Sequence, residues 1–479
     1  MLCAIVEHKS MKKNRTTKTT RAALFAGAAA LMSLAPVTYA QSSDALINKL
    51  EQKGVLSSEE AKELREESRQ EFNSGFTNSF DKAFGKITGM PDWVTGYKLS
   101  GDFRGRFDDI TVDNPLLSDR LRLRYRLRMG LVVDMKDDLQ VGFRLGSGDT
   151  ASGFSASTGN PLSNNTTFQD NGSKKFIYMD AAYGKWTAIN DGTWKVTGTF
   201  GKMDNPFRIS NMVFDYDLTP EGAAIQTVYK INDSHSLAFN TAAFVLDEES
   251  GSSHDPILYG GQVIWDATWT PKWSTSLGVS AFDIVNKEAL TTGNVPYVNQ
   301  GNTRVFDGNA IGGSSYDLAY NYNPIIGSAS ITYTLDSFPL YKGKFPIKLA
   351  TEFMDNPGAP NNNEGYWGGI TFGKSGKKGT WDISYRYQYL EADAWYDQLV
   401  DDDNMAGYTN LTPPPGGKAG VFGGTNVKGH LVKFNYSFTD SFVFTVTCYV
   451  NDLINQSPGG IGEPQSGTLH AMADIMWKF

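Results

Sequence analysis

Two cysteines in 479 residues, Cys3 and Cys448, leave little room for sulfur chemistry. Cys3 lies in a segment expected to be removed. The mature chain then holds one cysteine, which excludes an intramolecular disulfide and a cysteine-based metal site. Histidine is nearly as scarce, and His235, His254, His430 and His470 show no metal-ligand spacing. No basic excess exists either: 44 Lys+Arg stand against 52 Asp+Glu, a formal net charge of −8. That balance argues against nucleic-acid binding. No G-x-S-x-G nucleophile elbow occurs, so an esterase lacks its usual sign. Long apolar runs are confined to one, from Ala22 to about Val37. It follows Lys12, Lys13, Arg15, Lys18 and Arg21 and ends in Thr38-Tyr39-Ala40, the pattern of a secretory signal peptide cut after Ala40. The run is short for a spanning helix, and Met11 makes a better start than Met1. Loss of residues 1–40 removes six basic residues and one acidic residue, moving the net charge from −8 to −13.

What the chain does have is Asp119 to Val133, DRLRLRYRLRMGLVV. Arginines at 120, 122, 124, 126 and 128 alternate with Leu121, Leu123, Tyr125, Leu127 and Met129. Period two puts all five guanidiniums on one face of a strand and the hydrocarbon on the other. A helix would scatter arginine all round. A membrane barrel strand needs such a split, since its outer face meets lipid and its inner face meets water. An arginine turned to lipid would cost roughly 2–4 kcal/mol near the midplane, so the row faces the lumen.

The same texture extends from Trp93 to the C-terminus, with sixteen alternating segments near 95–107, 119–133, 139–148, 175–188, 193–201, 223–231, 235–246, 258–270, 273–283, 324–335, 346–354, 365–374, 380–391, 426–438, 442–453 and 468–479. The expected fold is an all-β transmembrane barrel of about sixteen antiparallel strands, with both ends periplasmic. Tryptophans beside the short turns (Trp186, Trp194, Trp269, Trp273, Trp381, Trp477) make an interfacial girdle. Cys448 shares the parity of Phe442, Phe444, Val446 and Val450 and is expected on the lipid face as a small hydrophobe. Ahead of the barrel, residues 41–92 read as a short helical periplasmic segment, with a capping box at Ser57 and Glu60. Phe72, Phe76, Phe80 and Phe84 recur on one helix side. They form a packing face or, alternatively, a coiled-coil stalk that trimerises or touches the cell wall.

The arginine strand, GKMDNPF (201–207) and FDYDLTPEG (214–222) together resemble the putative porin family of Gram-negative bacteria over about 93–479. INKLEQKGVLSSEEAKELREE (47–67) looks like the helical extension found before such barrels. Phosphate-selective porins are more distantly similar. The resemblance implies passive transport of small solutes or anions and a homotrimer in the outer membrane. Lipid, lipopolysaccharide and the barrel assembly machinery are the implied partners. The last strand ends in Trp477 and Phe479, which resembles the signal read by that machinery.

The expected lumen site is an arginine-lined constriction: Arg104, Arg106, Arg120, Arg122, Arg124, Arg126 and Arg128, with Arg144, Lys348 and Arg386 elsewhere on the wall. Like charges so close need anions or acids for compensation. The loop at 202–222 supplies Asp204, Asp215, Asp217 and Glu221, and folded inward it opposes the arginines. Rings of Arg favour anions, unless the acids neutralise the row in structural ion pairs. Three readings follow: a diffusion porin, an anion-selective phosphate-type channel, or a plugged barrel scaffold with ligand-binding loops at 149–174, 284–323 and 392–425. No enzyme activity, cofactor or metal is expected. Asp397, Asp401, Asp402 and Asp403 read as a solvated loop tip, or as a divalent-cation site between lipopolysaccharide phosphates. GGITFGKS (368–375) fits the phosphate-loop pattern but leads into an alternating strand, so it reads as a hairpin turn.

Overall fold

A strand whose two faces differ this sharply is satisfied only between two solvents. The computed structural model describes residues 91–479, except for residues 116, 151–157, 252, 298–299, 308–314, 409–419 and 456–465. The expected leader and helical extension lie outside the described residues, apart from the last two positions of the 41–92 segment.

Sixteen antiparallel strands close into a barrel. They are β1 (Val94–Val112), β2 (Arg120–Met135), β3 (Leu139–Ser147), β4 (Ile177–Asn190), β5 (Trp194–Lys202) and β6 (Glu221–Lys230). There follow β7 (His235–Val245), β8 (Ile257–Thr270), β9 (Trp273–Val285), β10 (Ile325–Leu335) and β11 (Phe345–Asp355). The last are β12 (Glu364–Gly373), β13 (Trp381–Leu390), β14 (Val427–Ser437), β15 (Phe442–Leu453) and β16 (Thr468–Lys478). Each pairs with its sequence neighbour, and β16 returns to β1 with Gly105 opposite Ile475. The closure leaves no free edge. Every expected strand is present. β1 extends past its expected end at 107, and its last amide, on Val112, donates to the Asp119 carboxylate across the loop. GGITFG belongs to β12, followed by the turn into β13, so the phosphate-loop match is a hairpin.

Parity on β2 is as the alternation requires. Leu121, Leu123, Leu127 and Met129 are exposed on the outside, while Arg124 and Arg126 are buried inside. Trp186, Trp194, Trp269, Trp273 and Trp477 stand exposed near the short-turn end, as a girdle does. Short turns use residues that tolerate left-handed backbone: Asp137 and Asp138 have φ of 61° and 58°. Cys448 keeps its outward parity, opposite Val432 and Ala471. Its side chain is buried.

The long-loop half of the lumen holds a packed apolar core that the alternation does not announce. Phe244, Leu258, Phe282, Ile326, Met354 and Leu390 point inward from β7 to β13 and are almost wholly buried. Against them pack Met212, Val213 and Phe214 from the β5–β6 loop and Trp395, Leu399 and Val400 from the β13–β14 loop. Trp395 is the largest fully buried side chain described. Its indole Nε1–H donates to the Val213 carbonyl at 2.8 Å. The Asp215 and Asp401 amides donate to the carbonyls of Leu399 and Asn211 at 2.8 and 3.1 Å. Two loops therefore fold into the barrel as one packed unit.

Candidate functional site in the barrel lumen

The arginine row is paired almost throughout. Arg122 reaches Asp108 at 2.7 Å and Arg124 the same carboxylate at 3.5 Å. Arg126 and Arg128 both hold Asp102, at 2.9 and 2.8 Å, and both reach Asp217, at 2.8 and 3.5 Å. Arg106 makes a fork on Asp474, with Nε at 2.8 Å and Nη2 at 2.9 Å, and places Nη1 3.0 Å from Asp403. Arg104 donates to the Asn165 side chain at 2.7 Å and lies 3.9 Å from Asp474. Such forks fix direction as well as charge.

Asp102, Asp108 and Asp474 stand on the neighbouring strands β1 and β16, and the other three partners come from three different inward segments. Asn165 belongs to the β3–β4 loop, Asp217 to the β5–β6 loop and Asp403 to the β13–β14 loop. The row on β1 and β2 is thus a rail to which three loops are tied. His470 on β16 adds a fourth tie: its Nε2 lies 3.0 Å from Asp108, and its Nδ1–H donates to the Asp403 carbonyl at 2.9 Å. Sequence reasoning missed Asp102, Asp108, Asp474 and His470 as parts of this site. Parity could have found them, since Asp102 and Asp108 share the inward face of Arg104 and Arg106.

The remaining expected residues are dispersed. Arg120 is exposed at the mouth of β2. Arg144 binds Asp180 and, at 2.8 Å, the exposed Asp204. Glu221 pairs with Lys202 at 3.1 Å, away from the arginine row. Asp215 is buried, and its carboxylate accepts the Asp217 amide at 2.6 Å. Lys348 and Arg386 line the far wall of a lumen cavity of about 590 Å³, with Lys433 between β13 and β15. Trp477 packs against Phe103 and Phe442, and the Phe479 backbone pairs with Gly101.

The acidic run at 397–403 is not a solvated loop tip. Asp397 and Asp401 are buried inside the barrel. Asp397 sits beside the buried Arg304, and Asp401 accepts from Asn211 and from the Tyr449 hydroxyl. The reason is Trp395, Tyr396, Leu399 and Val400, whose burial draws the loop in. Carboxylate oxygens of Asp215, Asp401 and Asp402 come within 4.8 Å of one another.

Burial and neighbouring loop acids push the Asp215 and Asp402 carboxyls well above the usual range. They push Asp401 up to about 6. Burial would also raise Asp403, but Arg106 against it, with His470 and Arg124 nearby, holds it well below. A carboxyl raised by folding stabilises the fold at low pH and loses that contribution as pH climbs through the raised value. Asp403 acts oppositely, and its contribution fails only below the ordinary carboxylate range. The two-loop unit should therefore be tightest near pH 4–5 and loosen toward pH 8. Amide exchange at Asp215 and Asp401, corrected for intrinsic rate, should lose protection over that interval, and Asp401→Asn should flatten the change. Equal protection at pH 5 and 8 would mean that the acids are already ionised in the packed state.

Comparison with known proteins bears on the barrel. Residues 112–310 match the family model described as putative porin. No curated protein matches the chain. Among solved structures, the high-pH structure of Pseudomonas putida OprB is similar at 12% identity, covering 80% of this chain and 94% of that one, with a TM-score of 0.48. A loop-deletion mutant of OmpT, an outer membrane protein of Vibrio cholerae, is similar at 9% identity, with 80% and 99% covered and a TM-score of 0.40. A triple mutant of Rhodopseudomonas blastica porin shares 10% identity, with 80% and 100% covered and a TM-score of 0.38.

Proposed function

We propose, from the premise that residues 112–310 carry the pattern of the putative porin family, that this chain is a bacterial outer-membrane diffusion channel for small hydrophilic solutes. The supporting observation is the division of β2, with leucines outward and paired arginines inward around a polar cavity. The proposed constriction lies where Asp217 of the β5–β6 loop meets Arg126 and Arg128, the acid of an inward loop set against the basic wall. That separation of charge orients polar solutes during passage. Passage is passive, and the assembly is a homotrimer in the plane of the membrane.

A second reading draws on the apolar core inside the long-loop half. It would make the barrel a plugged scaffold whose loops bind a ligand at the surface. Planar-bilayer recording of the refolded, full-length mature chain separates the two. A channel gives discrete, persistent conductance steps, and a plugged scaffold gives none from protein whose barrel content is intact.

A further inference from the structure

The arginine row is where sequence places the pore charge, yet nearly all of that charge is already paired, with Asp102, Asp108 and Asp474 on β1 and β16 and with Asp217 and Asp403 of the inward loops. Three lumen-facing cations differ. Among the described residues, no carboxylate stands within 4.0 Å of Lys348, Arg386 or Lys433. The nearest acids are engaged elsewhere. Asp266, toward Lys348, is held by Arg208 at 2.6 and 3.0 Å. Asp474, toward Lys433, is held by Arg106. Asp382, on the other side of Lys433, accepts from Asn435 and from the Ser375 amide. Asp401, toward Arg386, accepts from Asn211 and Tyr449. Arg386 gives only Nη1 to a partner, the Asn211 side chain at 2.6 Å, and its guanidinium lies over Trp367 at 5.6 Å.

Register brings the three together. Lys348 stands opposite Thr371, Thr371 opposite Ser384, and Ser384 opposite Lys433. Lys348 and Lys433 therefore share one cross-strand row, three strand spacings or about 14 Å apart at the backbone. Arg386 lies two residues along β13 from Ser384, on the same face. All three line the 590 Å³ cavity, as do Thr371, Ser384 and the exposed Tyr216 of the inward loop. A cavity of that size admits one small solute with its hydration.

We propose that this wall, and not the arginine row, is the selectivity surface: Lys348 and Lys433 bind small oxyanions (carboxylates or phosphates) in transit, within the field of Arg386. The Thr371 and Ser384 hydroxyls between the two ammonium groups supply hydrogen bonds to a second oxygen. Uncompensated cations along a pore attract anions, whereas paired ones cancel at a distance. This inference rests on the channel reading above.

The test is planar-bilayer recording of the refolded chain in a tenfold KCl gradient, with inorganic phosphate or succinate then added as blocker. Wild type should prefer chloride over potassium, and millimolar oxyanion should reduce its chloride current. Lys348→Gln with Lys433→Gln should lower the chloride-to-potassium permeability ratio at least about threefold and weaken the block by a similar factor. Arg386→Gln, made separately because Arg386 also ties Asn211, should shift the ratio in the same direction. Block by phosphate alone assigns phosphate-bearing solutes, and block by succinate alone assigns carboxylates. A double variant that conducts normally with unchanged ratio and block overturns the proposal while leaving the channel standing. Absence of conductance in wild type overturns the channel reading itself.

Discussion

Trp395→Ala is expected to raise single-channel conductance and open-channel noise while leaving the barrel assembled. The indole is fully buried inside the lumen and packs against Phe214 and Phe282 at centroid distances of 5.9 and 5.4 Å. Truncation removes that packing, the hydrogen bond to Val213 and the wedge between the two inward loops. Large-to-small changes of this kind cost about 3–5 kcal/mol where the site cannot collapse. The loss falls on the loop unit and not on the strand ladder, since Trp395 belongs to no strand. Loosened loops no longer confine Asp215, Asp217 and Asp401, and the passage widens. Lower thermal stability with unchanged conductance would mean that the loop unit does not border the pathway.

Arg106→Ala should have the largest effect on assembly. Arg106 is buried, and its fork on Asp474 joins β1 to β16 across the seam that closes the barrel. Its third contact, to Asp403, ties the β13–β14 loop to the same seam. Removing one member of a buried pair leaves the other charge uncompensated, at about 3–5 kcal/mol. The variant should unfold at distinctly lower urea concentration, read by the heat-sensitive mobility of folded barrel on a gel. Arg106→Lys should recover only part of the loss, because an ammonium cannot reproduce the planar fork. A midpoint equal to wild type would show that the seam is held by backbone pairing alone.

Strand parity made the barrel legible, because lipid and water impose a two-residue period that survives in any sequence that obeys it. On β2 that period placed every arginine inward without knowledge of a partner. The sixteen strands follow from the same rule, the girdle is read from tryptophans beside the short turns, and the closing pair is seen in the register of β16 on β1. The loop unit was not legible, because loops carry no period. Trp395, Leu399 and Val400 sit among Asp393, Asp397, Asp401 and Asp402, and composition read this stretch as solvated. The ion-pair partners are also hidden by distance along the chain: Arg106 finds Asp474 368 residues later and Asp403 297 residues later. Parity placed Lys348 and Arg386 on the lumen wall, but only the spatial arrangement shows that the acids near them are already engaged. The arginine row, so prominent in sequence, is on the proposal above more fastener than filter.

Single-channel recording of the purified, refolded mature chain in planar bilayers decides whether the barrel conducts. Long-lived conductance steps, grouped in threes for the proposed homotrimer, are expected to grow in proportion to salt concentration as a water-filled pathway requires. Silent bilayers, from protein whose gel mobility and β-sheet content prove a folded barrel, would contradict the channel reading.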